Sequence, residues 1–381
     1  MRTMISPHTA TELKAPHDGP TLVLKGLVCS SNGPRLDLVL RAGECVALLD
    51  LDDGPQGLAP LAETLAGHTP PAAGQIVVNG VDVTLGKIGR RGLATVGRRD
   101  PLFPPLTVRE NVAFSARARG ASATEASRSA SEWLALLGLE SVADRRPEAL
   151  GAGERIRTAI ARALASEPSV LVLDDIFVGL DGETRQDLHH RLARLRLARG
   201  LTLLLITRDR ADALAGANRI GVVAEGSLLQ LADAGTLIER PHCARVATAM
   251  GDANVLIGLI LSLDDDIAQV RLAAGGVADA MADPDLREGD LAELCVRPAQ
   301  IAPMFPRGAI RDDDEGLPAT LQDVTHLGDV LRLRFRLEDG ADVIVHRPPG
   351  SIPPGVVAGR PARLAWRPGG ALAFPSTTKQ R

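Results

Sequence analysis

The 381-residue sequence is poor in aromatic side chains and in lysine. It contains six Phe, two Trp and no Tyr, so a packed core must be built mainly from Leu, Val, Ala and Ile. Because 45% of the residues are hydrophobic, the chain can bury such a core, which excludes wholesale disorder. Of the 43 basic residues, all are arginine except Lys14, Lys25, Lys87 and Lys379.

Cysteine and long apolar runs are also scarce. The four cysteines (Cys29, Cys45, Cys243 and Cys295) form no CxxC or His-rich pattern, which favours reduced thiols over a disulfide framework or a zinc site. The longest apolar run, residues 255–261, is far shorter than the roughly 20 residues of a membrane helix. The first 20 residues contain no apolar stretch of a signal peptide. We therefore expect a soluble, cytoplasmic protein.

The charge of the chain is slightly acidic, with a formal net charge of -4. Proteins that bind nucleic acids neutralise phosphates with clustered positive charge. The composition therefore predicts that nucleic acid is not a partner.

Alternating strand and helix patterns occupy the first two thirds of the chain. Residues 1–20 are predicted to form a flexible arm, and residues 21–240 a single domain. Val170 to Leu173 form an apolar run that ends at Asp174, which is typical of a strand buried on both faces of a parallel sheet. The helical pattern of residues 185–199 follows it, and then a second apolar run, residues 201–206. This alternation predicts an α/β fold with a mostly parallel sheet, and residues 108–137 are predicted to be helical.

The pattern changes from about residue 241. Short alternating segments separated by Gly, Pro and Asp predict an all-β domain over residues 241–381, with the boundary between residues 241 and 254.

Several short motifs point to a known family by their order and spacing. They are Gly43 to Leu49, Leu102 to Val112, Ala159 to Leu164, Leu173 to Asp175, Leu180-Asp181, Val296 to Pro298 and Leu327 to Asp329. Together they resemble the ATP-binding subunits of ABC transporters, in particular bacterial importers of polyamines, sulfate or iron(III). The resemblance implies a P-loop-NTPase-like α/β domain with a helical subdomain at about residues 100–166, followed by an OB-like TOBE domain. It also implies ATP and Mg²⁺ as cofactors.

The phosphate loop departs from the family pattern. Such a loop needs glycines for its backbone N–H groups, a Lys for the phosphates and a Ser or Thr for Mg²⁺. The matching segment reads Asp50-Leu51-Asp52-Asp53-Gly54-Pro55-Gln56-Gly57-Leu58. Gln56 replaces the Lys, Gly57 and Leu58 replace the hydroxyl pair, and Pro55 removes one N–H. The sequence favours helix capping by the Asp residues over a metal site, and it suggests that one carboxylate occupies the phosphate position.

The other motif positions depart from the pattern in a similar way. The Ser-Gly-Gly-Gln signature is matched by Gly151, Ala152, Gly153 and Glu154, the Mg²⁺-sensing Gln by Arg98, and the switch His by Arg208. By resemblance, Asp174 would hold Mg²⁺, and Asp175 replaces the Glu that polarises water. No aromatic residue for stacking on adenine occurs near Ser31.

These departures predict a pseudo-ATPase subunit of an importer. By resemblance, it would dock on a membrane permease through residues 98–112, at the cytoplasmic face of the inner membrane. It would pair with itself or with another ATP-binding subunit. One alternative is a working ATPase in which Arg98 or Arg208 reaches the phosphates. The other is a module that binds a small ligand or dimerises through its TOBE domain.

Two further clusters are less specific. Arg90, Arg91, Arg98 and Arg99 could contact phospholipid, a permease loop or an anion, although a solvated loop is favoured. His189 and His190 have no partner pattern for a metal and are predicted to lie on a solvated helix face.

Overall fold

The computed structural model describes residues 19–52, 58–97, 100–305, 316–353 and 355–376. The chain divides into two compact units, residues 1–228 and residues 229–381. Among the described residues, no helix is both long and apolar enough to cross a membrane. All four cysteines are free thiols, as the sequence predicted.

The first unit contains two sheets. Its strands are β1 (Pro20–Val28), β2 (Leu36–Arg41), β3 (Cys45–Asp50), β4 (Ala73–Val78), β5 (Val81–Asp82), β6 (Leu93–Val96), β7 (Val170–Asp174), β8 (Thr202–Thr207) and β9 (Arg219–Ala224). The antiparallel sheet has the order β2-β1-β4-β5, and the parallel strands of the other run β9-β3-β8-β7-β6. Every residue of β3 and β8 is buried, which explains why their sequences are continuously apolar. The predicted α/β class is confirmed.

The helices of the first unit are α1 (Ala59–Ala66), α2 (Val108–Ala118), α3 (Ala123–Leu137), α4 (Ala152–Leu164), α5 (Gly182–Arg199) and α6 (Arg210–Gly216). Residues 108–137 are helical as predicted, apart from residues 119–122 between α2 and α3. Gly120 has a φ of +99°, which few other residues adopt, and it separates them. Ser122 then begins α3 as its N-cap, and Glu125 completes a capping box.

Arg91 is buried in the first unit, which corrects the prediction that this cluster is wholly solvated. Its Nη1 donates to the Thr64 carbonyl at 2.8 Å, its Nε to Gly86 at 2.7 Å and its Nη2 to Thr84 at 3.1 Å. Burial lowers the pKa of the Arg91 guanidinium. A Cβ at Gly67 would lie 2.8 Å from Arg91 Cζ, so the end of α1 needs glycine there. Arg91 therefore fixes the 84–86 backbone against α1.

The second unit is mainly β structure, as predicted. The strand β10 (Ser227–Ala232) crosses the border between the units, and α7 (Ala234–Glu239) and α8 (Ala244–Gly251) follow it. The remaining strands are β11 (Asn254–Asp264), β12 (Ile267–Leu272), β13 (Val277–Ala282), β14 (Leu291–Val296), β15 (Ala302–Met304), β16 (Leu317–His326), β17 (Leu331–Leu337), β18 (Asp342–Arg347), β19 (Pro361–Ala365) and β20 (Ala371–Pro375). They form a closed barrel, β11-β12-β13-β20-β14, and a sheet of order β15-β19-β16-β17-β18.

Candidate functional site

The carboxyl ends of four parallel strands, β3, β6, β7 and β8, border a cavity of about 520 Å³. In open α/β sheets, ligands bind at this edge. Six carboxylates line the cavity: Asp50, Asp52, Glu63, Asp100, Asp174 and Asp175. Arg208 is the only Arg or Lys among the described lining residues. The described lining of the cavity is therefore strongly acidic.

Asp50 lies at the end of β3 and is only 8% exposed. Its Oδ2 accepts a hydrogen bond of 2.7 Å from the backbone N–H of Leu58, the N-cap residue of α1, and its Oδ1 accepts one of 3.2 Å from Asp52 N–H. The Asp52 carboxylate in turn accepts the backbone N–H of Glu225. Asp50 thus contacts the start of α1 from eight residues upstream, but α1 has no side-chain N-cap hydrogen bond, so capping by these carboxylates stays a prediction.

The Asp50 carboxyl has a raised pKa. Desolvation by burial is the largest cause, and the hydrogen bonds from Leu58 and Asp52 oppose it. Because the folded state holds the Asp50 proton more tightly than the unfolded state, stability is lost as pH rises from about 4, the ordinary Asp pKa, through the raised value.

We expect a pH-dependent difference between the wild type and Asp50→Asn, which has no group to titrate at this position. As the pH rises from about 4, the wild type should lose free energy of unfolding relative to the variant. Urea unfolding across this pH range measures the difference. A difference that is constant with pH, or that changes in the opposite direction, contradicts the assigned pKa shift.

Asp174 and Asp175 follow the apolar stretch of β7, and both line the cavity. Arg208 Nε donates to Asp175 Oδ2 at 3.2 Å, and Asp175 Oδ1 is buried without a hydrogen-bond partner. Asp175 and Arg208 therefore form an ion pair at the cavity. No group of three His, Cys, Asp or Glu side chains among the described residues has the arrangement of a metal site.

A buried polar network lies beside this pair, and the sequence did not predict it. Asp212 is 2% exposed, and its Oδ1 lies 3.0 Å from His189 Nε2 and 3.5 Å from Arg185 Nη1. The His189 ring stacks on Phe177 with the ring centroids 4.0 Å apart. The prediction that His189 lies on a solvated face is therefore wrong, whereas His190 is exposed.

The signature-like residues lie at the start of α4, with Gly151 as its N-cap. Glu154 Oε2 accepts the Gly151 N–H at 2.8 Å, so this carboxylate caps its own helix. A Cβ at Gly153 would lie 2.4 Å from Thr184 Cγ2, which explains a glycine there. Gly151, Ala152, Gly153 and Glu154 are not among the described residues that line the cavity.

Several predicted site residues lie outside the described residues, namely Asp53, Gly54, Pro55, Gln56, Gly57 and Arg98. Leu58 is described and lines a second cavity of about 350 Å³ with Cys29, Ser30 and Asn32. Burial raises the pKa of the Cys29 thiol. The described lining of this cavity contains no aromatic side chain.

Comparison with known proteins agrees with this architecture. Residues 35–178 match the ABC transporter family and residues 294–374 match the TOBE domain. The chain is 32% identical to the spermidine/putrescine import ATP-binding protein PotA 1 of Pseudomonas aeruginosa, with 83% of this chain and 85% of that protein covered. It is also 32% identical to the putative 2-aminoethylphosphonate import ATP-binding protein PhnT of Salmonella choleraesuis, with 87% and 89% covered.

A solved structure shows the same fold. It is cbiO1 of Clostridium perfringens, described as part of the ABC transporter complex cbiONQ, with a TM-score of 0.53 and 22% identity. The match covers 59% of this chain and 93% of that one. The chain belongs to the ABC transporter family, as an import-type ATP-binding subunit with a C-terminal TOBE domain.

Proposed function

We propose that this chain is the nucleotide-binding-domain subunit of a solute importer and that it does not hydrolyse ATP itself. The observation that carries this proposal is the Asp50 carboxylate, which accepts the backbone N–H of Leu58 at the start of α1. In phosphate-loop proteins, N–H groups at this helix start bind the phosphates of the nucleotide. Here the Asp50 carboxylate already accepts a hydrogen bond from one of these N–H groups.

The charges in the cavity also oppose nucleotide phosphates. At an effective dielectric constant of 20, one carboxylate about 4 Å from a phosphate costs about 4 kcal/mol. No Lys lies between Lys25 and Lys87 to offset this cost, and Arg208 pairs with Asp175. Asp174 is suited to Mg²⁺ by its chemistry, but the described donors around it do not fit the triphosphate.

The proposed partner is an integral-membrane permease. Phe103 is 37% exposed and Phe114 is 45% exposed, with their ring centroids 4.6 Å apart. Arg162 lies over the Phe103 ring and donates to the backbone carbonyls of Asp100 and Pro101 at 2.7 Å. The fully buried Asn111 holds the backbone of Phe103 in place from α2. An exposed aromatic pair on a fixed backbone suits docking to a partner helix at the cytoplasmic face of the inner membrane.

The proposed organisation keeps an arm of residues 1–20, an ATPase-like domain of residues 21–240 and a TOBE domain of residues 241–381. We propose that the chain acts structurally or pairs with an intact ATP-binding subunit. Self-pairing, and ligand binding by the TOBE domain, stay predictions.

A second candidate function is a subunit that hydrolyses ATP to energise uptake. Two observations favour it: the relatives are named import ATP-binding proteins, and Asp174 is retained at the end of β7. In that case either Arg98, which lies outside the described residues, or Arg208, after leaving Asp175, would reach the phosphates.

Mg-ATP binding distinguishes the two candidates. Titration calorimetry of the purified full-length chain is expected to give a dissociation constant weaker than about 1 mM, because unfavourable charge replaces the phosphate cradle. The Pseudomonas aeruginosa relative serves as the positive control. Saturable one-to-one binding at micromolar Mg-ATP would favour the second candidate.

A further inference from the structure

One exposed loop in the first unit combines apolar and cationic side chains. In the loop of residues 85–90, Leu85 is 82% exposed and Ile88 is 60% exposed, and Lys87 and Arg90 are exposed beside them. The preceding strand β5 adds Val81, which is 62% exposed. Neither the described lining of the acidic cavity nor the exposed Phe103–Phe114 pair includes these residues.

The charge of this segment is opposite to that of the whole chain. The chain has a formal net charge of -4, whereas residues 81–92 contain Lys87, Arg90 and Arg91 against a single carboxylate, Asp82. Asp82 is hydrogen-bonded within its own loop, since its Oδ1 accepts from both the backbone N–H and the hydroxyl of Thr84. Lys87 and Arg90 have no ion-pair partner within the described part of the chain.

The backbone of the loop is held in place. Arg91 binds the carbonyls of Thr84 and Gly86 and ties both to Thr64 in α1. Thr84 Oγ1 also accepts the backbone N–H of Ile76 in β4. These hydrogen bonds fix the backbone of the loop while Leu85 and Ile88 are exposed to solvent. Binding by a loop that is already ordered costs little conformational entropy.

We propose that the 85–90 loop contacts the surface of an anionic lipid bilayer. Exposed Leu and Ile side chains partition into the boundary between headgroups and acyl chains, while neighbouring Lys and Arg attract anionic headgroups. Charge complementarity selects this occupant, because the loop is cationic within an acidic chain. The contact supplements docking on a permease and does not depend on whether the chain hydrolyses ATP.

Vesicle co-sedimentation of the full-length chain tests this proposal. Binding is expected to vesicles of equal parts phosphatidylglycerol and phosphatidylcholine, and not to vesicles of phosphatidylcholine alone. The double variant Lys87→Ala/Arg90→Ala should bind about 30-fold more weakly, from about 1 kcal/mol for each cation. The double variant Leu85→Ser/Ile88→Ser should bind at least about tenfold more weakly, because the apolar contact is lost.

Leu197→Ser is the matched control, because Leu197 is 81% exposed and is also followed closely by an arginine, Arg199. This variant should bind like the wild type. The proposal is overturned if the chain does not bind the anionic vesicles, or if the loop variants bind them as well as Leu197→Ser does. It is also overturned if the loop variants lose binding to a permease in detergent and keep their binding to the vesicles, since the loop then docks on protein.

Discussion

Replacing Asp212 with Ala is expected to lower the free energy of unfolding of the first unit by about 3 kcal/mol. Removing one partner of a buried ion pair costs about 3–5 kcal/mol, because the remaining polar groups lose their compensation. The Asp212 carboxylate is the polar partner of both the Arg185 guanidinium and the His189 imidazole. The His189 side chain is 13% exposed and packs on Phe177, so it cannot turn to water without moving that ring. Arg185 is 30% exposed and keeps its bond to Asp209, which places the cost at the low end of the range.

Urea unfolding followed by Trp133 fluorescence measures this effect, in a Trp366→Phe background that leaves Trp133 as the single Trp of the chain. Asp187→Ala is the matched control. Asp187 pairs with Arg191 one helical turn away and its side chain is 42% exposed, so its loss should cost less than about 0.5 kcal/mol. If Asp212→Ala costs no more than Asp187→Ala, the network does not stabilise the fold as described.

The parts of the fold that the sequence predicted are those that local pattern determines. The sequences of β7 and β8 are almost continuously apolar, because both faces of a parallel sheet are covered. Asp174 is placed at the cavity simply because β7 ends there. The contact of Asp50 with Leu58 was not accessible in this way, because Asp50 lies eight residues before Leu58 and is not itself the N-cap residue of α1.

Buried polar contacts between distant segments could not be predicted in this way. His189 and Asp212 lie 23 residues apart on α5 and α6, and Arg91 lies 27 residues from Thr64. Periodicity correctly places Leu188 and Leu192 inward on α5. It does not show that α6 brings the Asp212 carboxylate next to His189. Arg91 was misassigned for a similar reason: its buried position depends on α1 and on the lack of a Cβ at Gly67.

The largest expected effect concerns catalysis. We expect the purified chain to hydrolyse ATP at least about 100-fold more slowly than the Pseudomonas aeruginosa relative. The family resemblance places Asp175 where a water-polarising Glu is expected, and there the shorter side chain would withdraw the carboxylate by about 1 Å, which alone can cost about 100-fold. Arg208 holds that carboxylate in an ion pair, and Asp50 accepts the Leu58 N–H at the start of α1, the contact on which the proposal rests. A coupled assay of phosphate release measures the rate.

The most direct test of the pseudo-ATPase account is the steady-state rate of ATP hydrolysis by the full-length chain, compared with its Asp175→Asn variant. Both are measured alone and with permease subunits in proteoliposomes. We expect background rates for both proteins in both settings, because in a pseudo-ATPase Asp175 has no catalytic task to lose. Steady hydrolysis by the wild type that Asp175→Asn abolishes would contradict the account and establish the chain as a working ATPase.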